Sequence, residues 1–148
     1  MKKTSAGQSL VEVVVAIGVM SLLLMALLAL VSLSVKNSRV ARDRSKAVAL
    51  AQQGVELMRT YRDYSYTLLA AAAGETYVLA ANWAVEDGLV TAGCDETSFM
   101  DETDYFSRCV RVIMVEPSQV EVAVTVYWQE GNKLNATEQT TRLSSWQI

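Results

Sequence analysis

Between Val13 and Val35 the chain runs for 23 residues without a charged side chain, VVVAIGVMSLLLMALLALVSLSV. Rising about 1.5 Å per residue, a helix of that length spans roughly 35 Å, enough to cross a hydrocarbon core of about 30 Å. The run is too long and too apolar for the core of a removable secretory signal. The residues after it, Lys36, Asn37, Ser38 and Arg39, form no small-residue cleavage pattern, so the helix is expected to stay in the mature protein. This one segment also explains why a 148-residue chain reaches 51% hydrophobic residues and a mean hydropathy of +0.20. That length leaves room for one small domain beside an anchor.

Composition removes several chemistries. The chain has no histidine, which excludes Ser-His and Cys-His nucleophile pairs and zinc sites that need imidazole. Its two cysteines cannot make a four-thiolate centre, and a net charge of −3 is not that of a nucleic-acid binder. No catalytic residue, metal or cofactor is assigned. A tethered structural or binding protein is expected, not an enzyme.

The residues before the apolar run carry the most specific pattern. MKKTSAG places Lys2 and Lys3 ahead of Gly7, and Gln8-Ser9-Leu10-Val11-Glu12 then puts a carboxylate at the start of the apolar stretch. A charge inside the hydrocarbon costs a few kcal/mol, so Glu12 either sits at the interface with its head in water or is retained for a purpose.

A short basic leader, a glycine, a glutamate five residues later and an uninterrupted apolar helix together resemble the class III signal of type IV pilins and type II secretion pseudopilins. The matching residues are Gly7, Gln8 and Glu12 within GQSLVEVVVAIGV. The resemblance implies that a membrane prepilin peptidase removes residues 1–7, cutting after Gly7, and N-methylates Gln8, where the family usually has Phe. Glu12 then has a physical role: in a water-poor filament core it neutralises the new α-amine of a neighbouring subunit, an attraction that grows as the dielectric falls.

The helix is expected to continue past the run, over residues 8–63 with the membrane-spanning part at about 10–35. No proline interrupts Lys36 to Arg62, and Ala47, Val48, Leu50, Ala51, Val55, Met58 and Tyr61 recur at helical spacing, a stripe for the C-terminal domain to pack on. Gly54 inside the stripe marks a bend or a close approach. From Lys36 to Asp63 seven basic residues face three acidic ones, whereas from Ala70 onward there are twelve acidic and four basic. The basic stretch reads as a solvated flank or a contact for acidic heads of adjacent subunits before it reads as a DNA or lipid site. By flank charge alone, two lysines before the run against five cations after it, the C-terminal domain belongs in the cytoplasm. The pilin resemblance implies the reverse, with the leader in the cytoplasm and the head outside.

Residues 64–148 read as a β head. Cys94 and Cys109 enclose 14 residues; bridged, they close a loop worth about 3 kcal/mol, and otherwise they are reduced thiols. Pilin-like proteins commonly have a disulfide-bounded loop. The acidic cluster Asp95, Glu96, Asp101, Glu102 and Asp104 lacks EF-hand spacing and reads as solvated surface. Short strands are expected at Thr76–Ala80 and Trp83–Val85, with a turn at Asp87-Gly88. A stronger hairpin is expected from FSRCVRVIMVE (106–116) and QVEVAVTVYW (119–128) through Pro117-Ser118, its register open. Val120, Val122, Val124, Val126 and Trp128 share the face that packs on the helix. A turn at Glu130-Gly131-Asn132 leads to a polar strand at about 135–145, and Trp146 anchors the end. Asn135-Ala136-Thr137 matches a glycosylation sequon by coincidence.

The expected fold is α+β and pilin-like, a long N-terminal helix packed on a C-terminal antiparallel sheet. FSRCVRVIMVE, VTVYW and LSSW look more loosely like minor pilins of the PilV type. The implied partners are the prepilin peptidase, other subunits of a helical filament, the membrane and the pilus assembly machinery, with no nucleic acid. The implied location is the cytoplasmic membrane before assembly, then an extracellular pilus or a periplasm-spanning pseudopilus. The alternatives are a secretion or competence pseudopilin, or an uncleaved single-pass protein whose extracytoplasmic head binds a ligand.

Overall fold

A computed structural model describes residues 6–80, 83–89, 93–94 and 105–145. Helix α1 runs from Ala6 to Tyr64, the short helix α2 from Tyr66 to Ala71, and four strands follow: β1 (Thr76–Val78), β2 (Phe106–Glu116), β3 (Gln119–Glu130) and β4 (Lys133–Ser144). The chain divides into two units, Met1–Ala41 and Arg42–Ile148.

In the first unit α1 has no buried face among the described residues. From Leu10 to Val35 its large apolar side chains are between 49% and 69% exposed, on every side of the helix. The hydroxyls of Ser21 and Ser32 donate to the carbonyls of Ile17 and Leu28, at 2.8 and 2.9 Å, so both are satisfied within the helix. Those bonds remove the cost of placing a hydroxyl in an apolar surrounding.

The second unit is a four-stranded antiparallel sheet in the order β1-β2-β3-β4, with the second part of α1 packed across one face. Alternation sets that face. Val120, Val122, Val124, Val126 and Trp128 of β3 are buried, together with Phe106, Val110 and Val112 of β2. From α1, Val55, Met58 and Tyr61 enter a core with Val110, Val112, Val122 and Val124. Ala47 and Ala51 join Phe106, Val126 and Trp128 in a smaller cluster. Each buried valine contributes about 1.5–3 kcal/mol on removal from water, so the sheet is held chiefly by its central strands. Gly54 lies where α1 and sheet come closest: a Cβ there would stand 2.7 Å from Val124 Cγ1 and 3.3 Å from Arg108 Cδ. Close approach, not a bend, is the reason for glycine.

The hairpin register is fixed by a two-residue loop, Glu116 opposite Gln119, with an irregularity between Met114 and Glu116 that adds Val115. The next hairpin pairs Glu130 with Lys133, and Gly131 takes φ 60 at the first turn position, as turns that match strand twist require. β4 begins at Lys133, two residues before its expected start.

Two local expectations are corrected. Trp83–Val85 is not a strand: Val85–Asp87 forms a 3-10 turn. The Asp87 carboxylate accepts the Ala84 N–H at 3.1 Å, and the Trp83 indole donates to the Gly88 carbonyl at 2.8 Å. Such local bonds compete with a sheet ladder. β1 also stops at Val78, because the Leu79 and Ala80 carbonyls turn to the Arg108 side chain. Helix α2 was not expected; Ser65 caps it, its hydroxyl accepting the Leu68 N–H at 3.3 Å.

Candidate functional site

The largest unexplained surface among the described residues is the apolar cylinder of α1. It carries 18 large apolar side chains from Leu10 to Val35, all exposed. At roughly 1 kcal/mol or more each, their transfer out of water amounts to tens of kcal/mol. A helix apolar on every side has to be surrounded by hydrocarbon or by other helices. α1 is the one helix among the described residues long and apolar enough to cross a membrane.

The predicted processing residues Gly7 and Gln8 lie in the first turn of α1. Glu12, the only charged residue between Lys3 and Lys36, is exposed and has no ion pair among the described residues. Its carboxylate therefore belongs to a surface whose neighbours are apolar. Beyond the run, Lys36, Arg39, Arg42, Arg44 and Lys46 are all exposed. The aliphatic stem of Lys46 brings its ammonium 4.9 Å from the centre of the Phe106 ring.

In the second unit Cys94 and Cys109 are joined by a disulfide, with Cα atoms 5.5 Å apart. This resolves the choice between bridge and thiols. The acidic cluster at residues 95–104 and Trp146 lie outside the described residues, so its carboxylates are not placed. Among the described residues no three carboxylates or thiols gather as a metal site.

Arg108 is the residue that sequence reasoning missed. Its side chain is fully buried on the helix-facing side of β2. Nε donates to Leu79 O at 3.1 Å and Nη2 to Ala80 O at 2.9 Å, while Nη1 reaches Gln53 Oε1 at 3.2 Å and Leu50 O at 3.5 Å. One guanidinium thus ties α1, β2 and the segment after β1. Burial pushes its pKa below the usual arginine value, but hydrogen bonds to a charged donor, about 1.5–3 kcal/mol each, offset that cost. The signal was present in the sequence: in FSRCVRVIMVE the phase of Phe106, Val110 and Val112 puts Arg108 on the inward face.

A groove of about 450 Å³ between α1 and β4 is lined by Gln52, Gln53, Glu56, Arg59 and residues 139–141. Val55 lines it as well, so its wall is about as apolar as polar, and it is open to solvent. Elsewhere on β4, Asn135 is half-buried and its Nδ2 has no hydrogen-bond partner among the described residues.

No family model, curated protein or solved structure matches this chain. What stands is the architecture itself: a long apolar N-terminal helix whose C-terminal part packs on a four-stranded antiparallel sheet, which is pilin-like. The same helix is able to cross a membrane.

Proposed function

We propose that the chain is a non-enzymatic subunit of a type IV pilus-like filament, and within that class a minor pilin. It is inserted as a single-pass protein of the cytoplasmic membrane with its head outside. A prepilin peptidase cuts after Gly7 and methylates Gln8, and the assembly machinery then draws the apolar helix from the lipid into a bundle of like helices. The filament core replaces the bilayer as the surrounding that the helix needs. Subunits are the principal partners, and neither a nucleic acid nor a cofactor enters.

The observation that carries this reading is the single carboxylate, Glu12, five residues after Gly7 on the part of α1 up to Val35, where every large apolar side chain from Leu10 on is exposed. In lipid the carboxylate is costly; in a bundle it meets the α-amine released by cleavage. Leaving one member of a buried ion pair without the other costs about 3–5 kcal/mol, on the order of a hundredfold or more in an equilibrium. Glu12→Ala is therefore expected to be inserted and cleaved normally yet to be strongly depleted from sheared filaments. Wild-type incorporation of that variant would remove the role assigned to Glu12.

A further inference from the structure

We propose that a hollow on α1, lined by Val31, Ser32, Val35, Lys36 and Arg39, binds the headgroup of an anionic phospholipid, its phosphodiester on the two cations and its upper acyl carbons on the two valines. The inference rests on the reading of the preceding residues as a membrane span. The hollow has a volume of about 370 Å³. Its lining follows helical spacing: Val31, Val35 and Arg39 stack one turn apart, as do Ser32 and Lys36, so all five share one face.

The order of chemistry along that face is the argument. The apolar half is the end of the 23-residue run, and the cationic half starts at the first charge after it. Lys36 and Arg39 are separated by about 4.5 Å of helix rise. The polar layer of one leaflet is roughly 5–7 Å deep. With Val35 at the edge of the hydrocarbon, both cations fall within the depth of the lipid phosphates, and their long stems allow the heads to adjust. Both side chains are exposed and neither has an ion pair among the described residues. Arginine supplies a planar fork that matches two phosphate oxygens, and lysine adds a compact charge. The Ser32 hydroxyl is already engaged by the Leu28 carbonyl, so recognition rests on charge.

The competing occupant is the acidic head of a second copy. Val31 and Val35 decide against it, because a solvated acidic surface gains nothing from two valines at hydrocarbon depth, whereas a lipid matches both halves of the hollow.

The test uses the full chain reconstituted in phosphatidylcholine vesicles carrying spin-labelled phosphatidylglycerol or spin-labelled phosphatidylcholine as probes of lipid held at the helix. The anionic probe is expected to be enriched at least about fivefold, the factor that one cation near an anionic surface supplies. The enrichment should collapse in Lys36→Gln/Arg39→Gln and at about 0.5 M salt, where screening shortens to about 4 Å. It should persist in Lys133→Gln/Arg142→Gln, which removes the same charge from the head. Equal retention of both probes, or selectivity unchanged in Lys36→Gln/Arg39→Gln, overturns the proposal. So does a lack of selectivity together with cross-linked pairs of copies that the same variant abolishes, which assigns the cations to a second subunit. Failure of the wild type to float with any vesicle overturns the membrane span itself, a result separate from loss of lipid selectivity.

Discussion

Adding one methyl group at Gly54 sets two effects of opposite sign against each other. Glycine inside a helix costs about 1 kcal/mol relative to alanine, so on local grounds Gly54→Ala should stabilise α1. The sheet opposes this. The added Cβ would stand 2.7 Å from Val124 Cγ1 and 3.5 Å from Val124 Cγ2, with Arg108 Cδ at 3.3 Å on another side. Val124 is fully buried on β3, which is paired on both edges, and Arg108 is held by bonds to Leu79, Ala80 and Gln53. Neither neighbour has space to withdraw. Overpacking of this kind costs about 1–3 kcal/mol, so the steric term is expected to prevail by up to about 2 kcal/mol. Each kcal/mol shifts the melting temperature of a domain this size by about 4–8 °C. Thermal unfolding in detergent, followed by tryptophan fluorescence, reads the shift, since Trp83 and Trp128 both lie in the head. A double-mutant cycle with Val124→Ala isolates the contact. Trimming Val124 should make Gly54→Ala neutral or stabilising, with a coupling of about 1 kcal/mol or more. Stabilisation by Gly54→Ala in the wild-type background would refute the close approach of helix and sheet.

Three further outcomes follow from the head. Arg108→Met should destabilise it by about 2–4 kcal/mol, because the Leu79 and Ala80 carbonyls lose their donor while the side-chain volume is kept; denaturant unfolding in detergent checks this. Cys94→Ser/Cys109→Ser should cost about 3 kcal/mol, from the 15-residue separation that the bridge closes, and reductant should lower the wild-type melting temperature but not that of the variant. Tyr77 titrates in the opposite sense to a paired carboxylate: burial first, then the Glu75 charge, raise its phenol above the ordinary 10.0. The folded state thus keeps the proton longer than the unfolded state, and the contribution, complete below about pH 10, falls as the pH climbs through the raised value. Melting temperatures at alkaline pH should drop less steeply in Tyr77→Phe than in wild type.

The long-range features of the fold were legible because they rest on periodicity. The uncharged run of 13–35 admits little but a helix, the stripe from Ala47 to Tyr61 marks the packed face, and the alternation from Val120 to Trp128 fixes which side of β3 is inward. What escaped reading was decided by single side-chain bonds. Helix α2 has six residues, too few for a period to show, and depends on the Ser65 hydroxyl. Trp83–Val85 has strand-forming residues, but Asp87 captures the Ala84 amide. Arg108 was passed over because a charge in a strand is first read as solvent-facing, even where its phase points inward. For the candidate site, Glu12 and Gly7 were visible by position. The hollow proposed to hold a lipid headgroup was not, since its five residues come together only once the run and the basic flank are placed on one helical face.

The most direct test of the filament reading is the N-terminus of the mature chain, measured by intact-mass and N-terminal peptide analysis of protein produced beside an active prepilin peptidase. The account predicts a chain beginning at Gln8 with a methyl group on its α-amine; a folded, membrane-inserted chain that still begins at Met1 would contradict it.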